Sequence, residues 1–280
     1  MSSLWNGIVA VAAIRDIAQV TKVTTMFSLN PKLDVDTLAA RFANDGHVVV
    51  DRLIEDRAAD ALYQHLRERS DWRRLVLSGE RVAEFDRDGW DAIDPAKRAE
   101  LEAAIYASAR NAFQFRYEAI RVSDAPHDRE RSADLLNAFA TFMSGLDVIS
   151  VLRQITGHSD VSFCDAQGTA YAPGDFLTGH DDEVAGKARR SAYVFGSSTE
   201  WRPEWGGLLL FHRPDGRVDG IVPGFNRLTI FDVPQVHSVS EVTRSAPRRR
   251  YSVTGWARSE MQSGPAEHPQ VLSRRDVAAA

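Results

Sequence analysis

Thr169-Ala-Tyr171-Ala-Pro173-Gly174-Asp-Phe-Leu-Thr-Gly-His180-Asp-Asp182 holds a short β-prone run, a Pro-Gly turn and a His-x-Asp triplet in direct succession. The same texture fills the chain after Gly157. Short β-rich runs stand at Asp160–Cys164, Thr169–Tyr171, Ala192–Phe195, Leu208–Phe211, Gly220–Val222, Arg227–Phe231, Ser238–Val242 and Arg249–Trp256. Pro173-Gly174, Pro214-Asp-Gly216 and Pro223-Gly224 mark turns between them, since proline presets one turn dihedral and glycine accepts the left-handed one. Short strands at about ten-residue spacing predict a sandwich, jelly roll or barrel.

The first half reads as helical. Val35–Asn44 carries Leu38, Ala39 and Phe42 at helical spacing and stops at Asp45-Gly46. His47–Val50 is a short β-branched strand. Glu55–Arg69 has Ala58, Leu62, His65 and Leu66 along one stripe, and Ala96–Ile120 reads as a longer helix on Leu101, Ile105, Ala109, Phe113 and Ile120. Leu135, Phe139, Phe142 and Met143 mark another, and Val148–Ile155 a last short one. Helices first and strands second predict an α+β chain with a mainly β core and packed N-terminal helices. The expected division is an N-terminal extension over 1–30, a single catalytic domain over 31–258 and a C-terminal tail over 259–280. Within the domain, 31–157 would be helical support and 158–258 the β core.

The chain has 280 residues with formal net charge −5, which argues against a nucleic-acid partner. A single cysteine, Cys164, excludes an internal disulfide and any Cys-rich metal site, and is compatible with a cytoplasmic location. The apolar run Ile8–Ile14 is closed by Arg15 and Asp16, too short to span a membrane. Translation could start at Met1 or Met26. Oligomeric state is not legible.

Chemistry begins with histidine. Residues i and i+2 of a strand share a face, so His-x-Asp offers two ligands from one stretch. Two such triplets exist, His158-Ser-Asp160 and His180-Asp-Asp182, with His212 and His237 as candidate third ligands. Two imidazoles and one carboxylate on one face of iron leave three positions open, the pattern of non-haem Fe(II) oxygenases. A 2-oxo acid would take two of those and O2 the third, and its far carboxylate needs a cation in the same barrel. Beyond His237 runs Arg249-Arg250-Tyr-Ser252-Val-Thr254-Gly-Trp256, in which Arg250, Ser252, Thr254 and Trp256 share one face by period 2. An arginine fork matches a carboxylate bidentately. His212 is followed only by a turn, so His180, Asp182 and His237 are the chosen ligands. Arg248, two residues from Arg250, is the alternative anchor on that face.

These residues also resemble a family. Tyr171 to Asp182 looks like the first metal motif of the 2-oxoglutarate/Fe(II) dioxygenases of the prolyl hydroxylase type. Arg190-Ser-Ala-Tyr-Val-Phe and Trp201-Arg-Pro-Glu-Trp205-Gly-Gly207-Leu-Leu-Leu are similar to the strand–loop–strand that follows it there. Phe231-Asp-Val-Pro-Gln-Val-His237-Ser-Val-Ser-Glu-Val resembles the second motif, and Arg250-Tyr-Ser-Val-Thr254-Gly-Trp256 the closing co-substrate strand. The motifs cover about 160–258 in the family's order. Within the family the likeness is closest to ribosomal-protein prolyl hydroxylases and their bacterial relatives, although this chain has no room for the second barrel of the eukaryotic enzymes.

The resemblance implies a double-stranded β-helix of the jelly-roll or cupin-like kind, and Fe(II), 2-oxoglutarate and O2, with ascorbate as a candidate reductant. It implies hydroxylation of a C–H bond, foremost in a prolyl residue of a peptide or protein, with release of succinate and CO2. Arg250 would anchor 2-oxoglutarate with Tyr171 and Thr254, and Trp256 would line the substrate mouth. No catalytic side chain beyond the metal ligands is required. The same chemistry on a free amino acid or small metabolite, a non-catalytic metal-binding β-helix module, and a zinc or manganese cupin are the competing readings. An open groove flanked by 124–132 and 183–189 would favour a peptide, and a closed pocket a small molecule.

Overall fold

A computed structural model describes residues 26–79, 81–259 and 271–272. The first half builds α1 (Val35–Asp45), β1 (His47–Asp51), α2 (Asp56–Glu68), β2 (Arg73–Ser78), β3 (Arg81–Asp86), α3 (Arg87–Asp91) and α4 (Pro95–Ala109). β4 (Phe115–Arg121), α5 (Pro126–Glu130), α6 (Leu135–Met143) and α7 (Leu146–Thr156) follow. The second half supplies β5 (Phe163–Cys164), β6 (Gln167–Tyr171), β7 (Phe176–His180), β8 (Arg189–Ser197), β9 (Leu209–His212) and β10 (Val218–Ile221). β11 (Phe225–Asp232), β12 (His237–Val239), β13 (Arg250–Arg258) and β14 (Val271–Leu272) complete it.

The strands run in the order β1-β11-β8-β13-β6-β4-β7-β12-β9-β10, antiparallel throughout, with the β2–β3 hairpin joined to β4. β4 is the corner. Its later residues pair with β6, while Phe115 and Arg116 pair with β7, so the sheet folds back on itself. One cavity then touches residues of β4, β6, β7, β8, β9, β11, β12 and β13, as a curled double-stranded β-helix requires.

Alternation sorts the two faces. On β13, Tyr251 and Val253 point outward and join Phe195, Leu228 and Ile230 beneath the helical layer. That layer contributes Leu62 and Leu66 of α2, Leu136, Phe139 and Met143 of α6, and Ile149 and Leu152 of α7. Caps fit the helices locally. Asp134 accepts from Leu136 and Asn137 at the start of α6, and Gly46 and Gly157 close α1 and α7 with φ of 71° and 77°. Among the described residues no single helix is long and apolar enough to cross a membrane.

The long helix expected over Ala96–Ile120 ends at Ala109, and the remainder is a strand. From Phe115 onward the pattern has period 2: Phe115, Tyr117 and Ala119 face inward, Arg116 and Glu118 outward. Ile105 is the buried residue of α4, whose packing against Val76, Ala83 and Phe176 does not extend further. β2 and β3 went unread, so the first half gives four strands to the sheet besides its helices. Phe27, assigned to the extension, packs edge-on against Phe139 at 5.3 Å, so the core begins before residue 31. Residues 271–272 of the tail pair parallel with β3. The apolar run at 8–14 lies outside the described residues.

The turn between Tyr171 and His180 is fixed by buried charge. Asp175, fully buried, accepts from Ala172 N at 2.9 Å and from Arg74 Nη1 at 2.9 Å, and lies 3.0 Å from Arg116 Nε. Arg74 also reaches Glu118, which Arg87 holds at 2.8 Å. Burial alone would raise the Glu118 pKa, but the surrounding arginines bring it below the ordinary carboxylate value. Removing one member of such a network leaves an uncompensated buried charge. Arg74→Ala is expected to destabilise the protein by about 3–5 kcal/mol, read as a shift of the urea unfolding midpoint.

Candidate functional site

β7 and β12 pair with His180 directly opposite His237, which places the ring centroids 4.1 Å apart. Each Nδ1 lies on a backbone carbonyl: His180 on Thr178 O at 3.0 Å and His237 on Gln235 O at 2.8 Å. A carbonyl only accepts, so each Nδ1 carries a proton and Nε2 is the atom each ring has left to bind a metal. Both Nε2 atoms face Asp182, at 3.4 Å from Oδ1 and Oδ2 respectively.

Asp182 does not arrive by strand alternation as expected. β7 ends at His180, and Asp182 adopts φ +63°, turning its carboxylate back between the imidazoles. A continued strand would have held the side chains of i and i+2 roughly 7 Å apart. The turn instead brings all three ligand atoms within 4.8 Å of one another.

Burial lowers the His237 pKa to about 4, helped by the neighbouring His180, so this imidazole is neutral at pH 7. Burial alone would raise Asp182, but His180 and His237, with the Trp256 indole, hold it below the ordinary value. That indole N–H is buried short of a full hydrogen bond, yet close enough to favour the ionised carboxylate. Three ligand atoms converging within 4.8 Å form a site that a divalent cation would complete. Two imidazoles and a carboxylate suit Fe(II).

The cavity has a volume of about 370 Å³. Arg250, 4% exposed, lines it, and among the described residues it has no carboxylate partner and no hydrogen bond. Its guanidinium rests 5.2 Å over the Tyr171 ring, and burial pushes its pKa down. Thr254 and Trp256 line the same cavity, as the period of β13 predicts, while Ser252 turns its hydroxyl to Thr169 at 2.8 Å. Arg248 instead faces Glu200 and Trp205 on the surface.

Gly207 explains why the Trp201 to Gly207 loop reads as it does. Its φ is +65°, and a Cβ there would meet Arg250 Cδ at 3.2 Å and Val242 at 3.1 Å. Trp201 Nε1 donates to Gly206 O at 2.9 Å, and Gly207 N donates to Glu241 O at 3.3 Å, fastening the turn against the arginine stem.

The rival ligands are spent elsewhere. His158 pairs with Asp232 at 2.8 Å, Asp160 with Arg190 at 2.7 Å, and His212 bonds Ser238 Oγ at 2.8 Å. Residues 124–132 do not flank the mouth, because Arg129 of α5 is buried against Ala140 O and Cys164 O. The rim is formed by Asp181, Glu183, Val184, Arg189 and Phe113, with Phe113 44% exposed and 5.5 Å from the His180 ring. Tyr117, Gln167 and Arg189 also line the cavity and were missed. Tyr117 stacks on Tyr171 at 5.2 Å and 16°, but it lay inside the stretch read as helix.

Residues 166–258 match the 2OG-Fe(II) oxygenase superfamily. No curated protein matches the chain in sequence. Among solved structures, a Pseudomonas putida prolyl-4-hydroxylase is similar at TM-score 0.54 and 18% identity, covering 80% of this chain and 98% of that one. A Trichoplax adhaerens prolyl hydroxylase, solved with a hypoxia inducible factor oxygen degradation domain peptide fragment, is similar at TM-score 0.53 and 14% identity over 80% and 89% of the chains. The non-heme alpha ketoglutarate dependent epimerase SnoN from nogalamycin biosynthesis is similar at TM-score 0.51 and 12% identity over 84% and 92%. At these identities the neighbours establish the fold. The superfamily match brings Fe(II), 2-oxoglutarate and O2 as its cofactor and co-substrates.

Gly207→Ala tests the seat of Arg250. The added methyl should displace the guanidinium and weaken 2-oxoglutarate binding by about tenfold or more, the worth of a charge-assisted hydrogen bond, as read by calorimetry on the iron-loaded protein held anaerobic.

Proposed function

We propose that this 2OG-Fe(II) oxygenase, matched to its superfamily over residues 166–258, hydroxylates a prolyl residue of a peptide or protein, releasing succinate and CO2. The observation that carries the reading is Arg250: a buried guanidinium without a carboxylate partner among the described residues, opening on the cavity that also holds the three converging ligand atoms. An unpaired buried charge costs several kcal/mol, a cost that an anionic ligand removes. A metal-binding module without turnover leaves that arginine without purpose.

In this reading His180, Asp182 and His237 hold Fe(II), their Nδ1 bonds to Thr178 and Gln235 fixing ring orientation. Arg250 takes the far carboxylate of 2-oxoglutarate, with Tyr171 and Thr254 beside it. When bound, iron, 2-oxo acid and O2 supply an oxidative decarboxylation that inserts oxygen into a C–H bond. The chain's own residues do the rest. Tyr117, Leu177, Leu209 and Phe231 line the cavity with apolar surface that excludes bulk water. No side chain has to move a proton, so none is assigned as a general base.

A prolyl substrate is supported by two neighbours that are prolyl hydroxylases, one with a peptide bound. The rim supports it as well, because Phe113 and Val184, 44% and 45% exposed, give a neutral five-membered ring apolar surface beside the site. Val184 belongs to the 183–189 flank, of which residues 183–186 are exposed.

Fe(II) followed by 2-oxoglutarate, added anaerobically to metal-free protein, should produce a weak visible absorption band that is lost in His180→Ala and Asp182→Ala. Arg250→Ala should raise the 2-oxoglutarate concentration needed by about two orders of magnitude. If iron binds and no band forms, the oxygenase reading falls. Exposure to O2 with proline-containing peptides should then yield peptide heavier by one oxygen, found on proline by mass spectrometry. Turnover of free proline with none of peptide would assign the small-molecule substrate instead.

A further inference from the structure

Asp182 occupies a left-handed backbone conformation, uncommon for a side-chain-bearing residue though more accessible to Asp than to most. It lies past the end of β7, so no strand ladder restrains it. The restraint comes from seven residues further on. Arg189 Nη1 donates to the Asp182 carbonyl at 2.9 Å, while the guanidinium lies over the Trp256 ring with Cζ 3.5 Å from the centroid.

Both partners are themselves fastened. Trp256 N donates to Asp165 Oδ1 at 2.7 Å, and Arg189 opens β8, paired to Arg258 of β13. The loop between Asp182 and Arg189 is strained at Ala188 too, with φ +49°. Its base is gripped by Arg258 Nε on Lys187 O at 3.0 Å and by Ser259 N on Ala188 O at 3.1 Å. Asp182 is thus held at two points, its backbone by Arg189 and its carboxylate beside the Trp256 indole.

We propose that Arg189 is a positioning residue for Asp182, a clamp that keeps this carboxylate turned toward His180 and His237, with Trp256 as the plate that stops the guanidinium from swinging away. The inference rests on reading those three residues as a metal site. It makes a prediction opposite in sign to simple electrostatics. A guanidinium beside a divalent cation repels it, so as a bare charge Arg189 would weaken metal binding and its removal would tighten it. As a clamp, its removal loosens a ligand and weakens binding.

The test is Co(II) binding to the metal-free full chain, followed by calorimetry and by the visible cobalt spectrum, which reports ligand geometry without turnover. Arg189→Ala should weaken Co(II) binding by about 10–100-fold and alter the band shape, while the melting temperature of the metal-free protein stays near the parent value. Arg189→Gln removes the charge and its amide ends two bonds short of Nη1, so it should weaken Co(II) binding as Arg189→Ala does and serves should Arg189→Ala not fold. Binding by either variant that is clearly tighter than the parent overturns the clamp. So does unchanged affinity with an unchanged spectrum in Arg189→Ala. His237→Ala separates the two readings: if it binds Co(II) as the parent does, the metal-site assignment fails rather than the clamp.

Discussion

Two histidines directly opposite one another on adjacent antiparallel strands meet with their rings 4.1 Å apart and need no further adjustment. That register between β7 and β12 is the constraint on which the site depends. It aims both Nε2 atoms at one point, and a shift by one residue would turn one ring to the other face. The curl at β4 joins the β13–β6 side of the sheet to the β7–β12 side, which sets β13 across the cavity from the two histidines. The Asp175 network holds the chain between Tyr171 and β7, so a purely structural cluster of charges also fixes the distance between the proposed anion anchor and the proposed metal ligands.

Charge is used in two opposite ways within a short span. On the outer face of β4, Arg74, Arg87 and Arg116 enclose the buried carboxylates Glu118 and Asp175 and pair with them. Inside the barrel, Asp182 faces two imidazoles and an indole with Arg189 on its backbone carbonyl, and Arg250 has no carboxylate partner among the described residues. A buried ion left incomplete is costly to fold around, and it persists where a ligand of opposite charge completes it. The separation of these two regimes by the thickness of one strand is what makes the cavity chemically specific.

Backbone strain is placed in the same economical way. Asp182 and Ala188, both non-glycine residues at positive φ, bracket a loop whose base is gripped by Arg189, Arg258 and Ser259. Gly207, by contrast, relieves a contact rather than creating one, since any side chain there would press on the Arg250 stem. The aromatic pairs Tyr117–Tyr171 and Phe231–His237 fill the remaining space with rigid surface that fixes the polar groups in place.

Much of this was legible in the chain itself. Period-2 alternation assigns Arg250, Thr254 and Trp256 to one wall, because side-chain direction in a strand is a local property. The His-x-Asp triplet and His237 could be chosen from residue chemistry and order. Local pattern failed where the deciding forces were not local. Phe115–Arg121 reads equally as the end of an apolar helix until pairing with β2 and β6 is known, and Tyr117 was lost with it. Asp182 needed a left-handed turn imposed by contacts with Arg189, a residue that nothing in the sequence marks out from Arg190 beside it. Fold class and the chemical types at the site follow from the chain alone, because hydrophobic period and donor chemistry are carried residue by residue. Which histidines oppose each other, which arginine faces the cavity and how the carboxylate turns depend on strand register and on contacts between segments far apart in the chain, and so appear only once the sheet is assembled.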